Sequence, residues 1–180
     1  MKPSRVAIAS SAAALTLAAG TGYLALHREG SHSGTSRVAQ FSESGVIVVV
    51  NVKDRTATRA SLAVTFTPDR PGFHLYSIDL PPNGIQGVGR PTSVTTQGVL
   101  HAAGPESAET TVTTLPLAGT DLTLPVYPDG PVTVDLPVTI DGAGQATVLI
   151  GYAACSPQTC LPPVSGYQIP MFVTDHAISG

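Results

Sequence analysis

The sequence predicts an all-β protein: an immunoglobulin-like antiparallel β-sandwich preceded by an N-terminal transmembrane or signal helix. Three observations carry this. Val and Thr are abundant while Glu and Lys are rare, an inventory that suits strands and disfavours long surface helices. Several short runs alternate apolar and polar residues with the strand period of two. Eighteen glycines and sixteen prolines in 180 residues supply frequent turns between those runs. The length fits one domain plus a tail. Apolar residues make up 42% and charged residues 12%, which excludes wholesale disorder. Aromatic residues reach only 5%, with no Trp, so the core must be aliphatic.

The amino terminus reads as a membrane-targeting segment, residues 1–26. Lys2 and Arg5 precede an uncharged stretch from Val6 to Leu26, and His27, Arg28 and Glu29 then restore polarity. Its 21 residues match the roughly 20 needed to cross a bilayer as a helix. A cleaved signal has a shorter apolar centre and a small-residue exit, for which Ala18, Ala19 and Gly20 are the candidates. An uncleaved anchor is the leading expectation and a cleaved signal the runner-up. Both place the rest of the chain on the extracytoplasmic side, because the positive residues stay inside. Residues 27–44, rich in Ser, Gly and charge, are expected to be a flexible linker.

From 45 to 175 the chain reads as seven to nine short strands, with residues 176–180 left as a tail. Gly45–Lys53 is a continuous β-branched run of the kind expected in a buried strand. Ala60–Thr67 alternates Leu62, Val64 and Phe66 with Ser61, Thr65 and Thr67. Phe73–Leu80 follows a Pro-Asp-Arg-Pro-Gly turn. Two short strands are expected between Ser93 and Val126, around a loop near Gly104–Glu109. Val132–Ile140 alternates cleanly, with Pro137 predicting a place on a sheet edge because proline cannot donate to a ladder. Asp141-Gly142-Ala143-Gly144 turns the chain into Gln145–Ala153, and Tyr167–Thr174 closes the domain.

The net charge is −3, or −5 once Lys2 and Arg5 are set aside with the targeting segment, so nucleic acid is not an expected partner. No cofactor or metal is expected either. Two cysteines cannot complete a structural zinc site, and no His falls between Cys160 and Met171 as a blue-copper site would require. No Ser–His–Asp order, paired carboxylates or phosphate-cradling glycine loop stands out. What chemistry there is lies at Cys155 and Cys160, in Tyr152-Ala-Ala-Cys-Ser-Pro-Gln-Thr-Cys-Leu-Pro-Pro163. In an exported chain two thiols this close pair. Two readings of the pair stand level on spacing alone. A structural staple closing so short a loop contributes only about 2 kcal/mol. A redox-active pair holds one thiol ready to resolve a mixed disulfide formed by the other.

Tyr152–Pro163 resembles the Tyr-x-x-Cys…Cys-x-Pro-Pro signature of the N-terminal periplasmic domain of the thiol:disulfide interchange protein DsbD. Pro71-Gly-Phe-His-Leu-Tyr-Ser77 is similar to that domain's Gly-aromatic-x-Leu-Tyr strand, and Pro131–Ile140 to the strand leading into its cysteine hairpin. The resemblance spans about 45–175 and implies an immunoglobulin-like fold. It implies that Cys155 and Cys160 accept electrons and pass them to exported disulfide proteins, with Cys155 attacking and Cys160 resolving. It further implies that Tyr76 and His74 shield the disulfide. DsbD continues into a multi-span membrane domain and a thioredoxin-like domain. For this chain a separate membrane electron transporter or thioredoxin-like protein is therefore the expected donor, and oxidised exported proteins are the acceptors, including those of cytochrome c maturation. No Phe, Tyr or Trp occurs between Tyr76 and Tyr127. The family's aromatic cap is thus missing, and the disulfide is expected to be open on that side, bordered by Tyr76, His74 and small or aliphatic residues from about 97–120. The rival readings are a β-sandwich binding module with a structural disulfide, and a chaperone domain that uses the cysteines as soft ligands for copper or haem-related cargo.

Overall fold

The computed structural model describes residues 34–117 and 119–180. The expected membrane-targeting segment, residues 1–26, lies outside them; among the described residues no helix is long and apolar enough to cross a membrane.

Two antiparallel sheets carry the architecture. The first has the order β1-β2-β3-β10-β6, with β7 also pairing β10. Its strands are Ser36–Glu43, Val46–Lys53, Arg59–Pro68, Val132–Ile140 and Leu100–Ala102, with Ser107–Ala108 as β7. The second has the order β14-β13-β11-β5, from Ile178–Ser179, Val164–Val173, Gly144–Tyr152 and Ser93–Gly98. Two small ladders complete the fold: β4 (His74–Leu75) with β12 (Ala154–Cys155), and β8 (Thr113–Pro116) with β9 (Thr123–Val126).

The period-two patterns become the inner faces of the sandwich. Val46, Val48 and Val50 of β2, Leu62, Val64 and Phe66 of β3, and Val134, Leu136 and Val138 of β10 are almost fully buried. They share one core with Val148 and Ile150 of β11 and Met171 of β13. Burying each such side chain contributes about 1.5–3 kcal/mol, which makes this core the main source of stability. Phe66 and Tyr152 meet across the sandwich edge-on, centroids 5.6 Å apart. Tyr152 then donates its hydroxyl to the Glu43 carbonyl at 2.8 Å. Burial, with a smaller contribution from the charge of Glu43, holds that phenol protonated well above its ordinary range.

Five sequence expectations change. The region expected as linker, 27–44, contains an edge strand: Ser36–Glu43 pairs with β2 through a two-residue turn at Ser44 and Gly45, both at positive φ. That is the turn geometry that matches strand twist. The 176–180 tail contributes β14, which pairs with the end of β13. Gly45–Lys53 is buried on one face only; Ile47 on the other face is 36% exposed. The segment from Phe73 to Leu80 yields a two-residue strand, because the chain turns at Ser77, whose hydroxyl accepts from Asp79 N at 3.0 Å. Between Ser93 and Val126 there are five short strands rather than two.

The remaining expectation, Pro137 as the mark of a sheet edge, is also corrected. Strand β10 lies inside the first sheet, between β3 and β6. The Pro137 carbonyl accepts from Ala103 N at 2.8 Å, so the proline nitrogen faces the same side. There the neighbouring chain leaves β6 at Ala102 and returns as β7 only at Ser107. The missing donor therefore falls in a gap of the ladder and costs no hydrogen bond to β3.

Candidate functional site

Cys155 and Cys160 form a disulfide, with Cα atoms 4.0 Å apart. Leu161 N donates to Ala154 O at 2.9 Å and Ser156 N donates to Thr159 O at 2.8 Å. These two bonds flank the cysteines and make them a non-hydrogen-bonded cross-strand pair, the register in which antiparallel side chains approach most closely. The Ser156 hydroxyl accepts from Gln158 N and Thr159 N and closes the four-residue tip of the hairpin. Beyond the pair, Leu161 packs over the β1–β2 turn: a Cβ on Gly45 would come within 2.6 Å of its Cδ1. The hairpin is thereby docked on the sandwich at both of its strands.

The two cysteines differ in surroundings. Cys155 is 4% exposed, in a small apolar cluster with Tyr76, Leu80, Leu124, Val126 and Ala153, separate from the main core. Cys160 is exposed. A cavity of about 220 Å³ opens over the bond, lined by both cysteines, Tyr76, Leu161 and the segment Gly87–Arg90.

Tyr76 is the side chain in polar contact with the bond. Its hydroxyl lies 3.4 Å from Cys155 Sγ; a disulfide sulfur carries no hydrogen, so the phenol donates. Its backbone is pinned on both sides. The Tyr76 carbonyl accepts from Thr92 Oγ1 at 2.7 Å, and Tyr76 bridges to Val126 of β9. Burial pushes the phenol pKa up, so the group remains a donor at neutral pH.

His74 pairs with Cys155 across the β4–β12 ladder and meets the Tyr76 ring edge-on, centroids 6.0 Å apart. It is buried and does not line the cavity. Its Nε2 has no hydrogen-bond partner among the described residues. Burial depresses its pKa, opposed in part by the negative charge of Asp129, so the ring is neutral at pH 7. The structure thus brings all four sequence-predicted residues together: His74 is the cross-strand partner of Cys155, and Tyr76 touches both the His74 ring and the Cys155 sulfur.

The wall of the cavity comes from a segment that sequence reasoning passed over. Instead of residues 97–120, it is the loop Pro81–Pro91, which holds three glycines and three prolines. Ile85 and Val88 exchange two 3.0 Å backbone hydrogen bonds around Gln86 and Gly87, both at positive φ. Gly89 presses on the Tyr76 ring: its φ is +85°, and a Cβ there would lie 3.1 Å from Tyr76 Cε1 and 2.8 Å from Leu80 Cδ2. From the region expected to border the bond, Leu115 and Leu117 pack against the apolar cluster. The density of Gly and Pro between Leu80 and Thr92 was the available signal, legible only as a turn.

No protein-family model matches the chain, and no curated protein matches it. A solved structure does: the crystal structure of the N-terminal periplasmic domain of ScsB from Proteus mirabilis, at a TM-score of 0.52 and 12% identity, over 76% of this chain and 51% of that one. The chain therefore spans about half the length of that structure. At this identity the likeness is one of fold: a two-sheet antiparallel sandwich, here carrying one disulfide hairpin.

Proposed function

We propose that the protein is an extracytoplasmic thiol–disulfide exchange module whose working group is the Cys155–Cys160 pair. The observation that carries the reading is the asymmetry of the bond. One sulfur belongs to an exposed residue at a cavity, and the other is held in an apolar cluster beside a phenolic donor. A structural staple needs neither feature. The resemblance of the cysteine segment to the DsbD N-terminal domain supports it, and so does the fold likeness to a periplasmic domain.

The burial of Cys155 and the exposure of Cys160 favour the opposite order of attack to the one that the resemblance implies. A thiolate from a donor dithiol attacks Cys160 Sγ, the accessible partner, and forms a mixed disulfide. The Cys155–Cys160 bond breaks and its electron pair leaves on Cys155 Sγ, where the Tyr76 hydroxyl donates to the new thiolate. The second donor thiolate displaces Cys160, so the donor leaves as a disulfide and its two protons pass to the two cysteines. Running forward, the Cys160 thiolate attacks the disulfide of an oxidised exported protein and Cys155 resolves it. The donor is a membrane electron transporter or a thioredoxin-like protein.

Trapping tests the assignment. Cys155→Ala in the full chain leaves a free Cys160, whose thiolate should displace a small thiol from the single remaining cysteine of a thioredoxin-like protein capped with that thiol, and so accumulate the protein–protein mixed disulfide. Cys160→Ala should trap at least tenfold less. Equal trapping by both variants would remove the assigned order; no trapping by either would remove the exchange function.

A further inference from the structure

Of the residues lining the disulfide cavity, Arg90 alone carries a charge at neutral pH. The loop around it is built to hold it there. Gly89 is packed against Tyr76 and Leu80 in a conformation that side chains rarely adopt, and Pro91 follows directly. The guanidinium donates through Nη1 to the neighbouring Gly89 carbonyl at 3.2 Å. It takes part in neither of the ion pairs found among the described residues, Lys53–Asp135 and Arg70–Asp69. Arg90 also borders a second hollow lined by Glu106, whose carboxylate accepts from Val94 N at 2.8 Å.

We propose that Arg90 is the electrostatic specificity residue of the exchange site: it draws an anionic thiolate to Cys160 and stabilises the thiolate form of the reduced pair. The inference rests on the exchange reading above. In every step of that exchange the attacking and leaving groups are anions. The rest of the cavity lining is uncharged, and a guanidinium keeps its proton throughout the pH range in which thiols titrate. A fixed positive charge at such a wall lowers the cost of each thiolate, and thiolate fraction governs thiol reactivity. The groups next to the sulfurs, the Tyr76 hydroxyl and the His74 ring across the ladder from Cys155, are neutral, and the negative charge of Asp129 acts on His74. The preferred partner is a dithiol presented on an acidic rather than a basic surface.

The test uses the full oxidised chain and two small thiols, neutral mercaptoethanol and anionic mercaptoethanesulfonate. Arg90→Gln should slow reduction by mercaptoethanol about threefold, with a larger loss for the sulfonate, while Arg90→Lys should keep most of both rates. The pH profile of iodoacetamide alkylation of the reduced chain should move to higher pH in Arg90→Gln and return in Arg90→Lys. Unchanged rates and an unchanged profile in Arg90→Gln would overturn the proposal, and so would a loss that Lys does not restore, since that is a packing effect. Should the Gln variant not fold, added salt decides on the wild-type chain: sulfonate reduction that slows with ionic strength supports the attraction, and a flat or rising rate overturns it. A wild-type bond that small thiols reduce but a thioredoxin-like dithiol does not would refute the exchange function while leaving the Arg90 result intact.

Discussion

Replacing Tyr76 with Phe removes one hydroxyl and keeps the ring that Gly89 and Leu80 pack against. The 3.4 Å contact to Cys155 Sγ is then lost without opening a cavity. A disulfide sulfur is a weak acceptor and a thiolate a strong one, so the hydroxyl stabilises the reduced pair more than the oxidised one. Hydrogen bonds to neutral groups contribute about 0.5–1.5 kcal/mol and those to charged groups about 1.5–3 kcal/mol. A difference of about 1 kcal/mol between the two redox states is a conservative value for an O–H···S bond. For a two-electron couple this corresponds to about 20 mV. Tyr76→Phe should therefore make the reduction potential about 20 mV more negative, and raise the apparent pKa of the Cys155 thiol by about 0.7 unit. Equilibration against graded ratios of reduced and oxidised dithiothreitol, with alkylation trapping, reads the potential; the pH dependence of alkylation reads the pKa. A potential that stays put or becomes less negative would refute the reasoning that Tyr76 serves the reduced state.

Two further perturbations test the surroundings. Gly89→Ala places a side chain at φ +85° and within 2.8 Å of Leu80 Cδ2; urea unfolding should show a loss of at least about 1–2 kcal/mol, and the displaced wall should speed reduction by unselective dithiols, so wild-type stability and reactivity would count against the packing described. For His74 the folded-state pKa lies below the unfolded value, chiefly through burial, so the unfolded chain binds the proton first and stability falls as pH drops below about 6.5 until the folded pKa is reached. His74→Gln should flatten that limb of the stability–pH curve, and an unchanged slope would show that the buried ring does not set it.

The strands of the sandwich were legible because one buried face per strand imposes a period of two on Leu62–Phe66 and Val132–Ile140. Strand β1 was not. Most of Ser36–Glu43 is exposed or half-exposed, and its place is set by backbone bonds to β2 that side chains do not encode. Pro137 misled for a similar reason, since a break between β6 and β7 supplies the tolerance that an edge would otherwise give. At the site, the cysteines announced themselves by spacing and Tyr76 by its strand motif. Arg90 lies seventy residues from Cys160 in sequence and reaches the cavity only through the tertiary packing of a turn-rich loop, which no local pattern predicts.

The reduction potential of the Cys155–Cys160 bond in the full chain tests the central claim most directly. An exchange module must be reducible by a thioredoxin-like donor, whose potential is about −270 mV, whereas structural disulfides fall below about −300 mV. The account predicts a value less negative than about −270 mV, with the sandwich still folded after reduction because the six-residue loop contributes only about 2 kcal/mol. A value below about −300 mV, or unfolding on reduction, would contradict it and make the bond a staple.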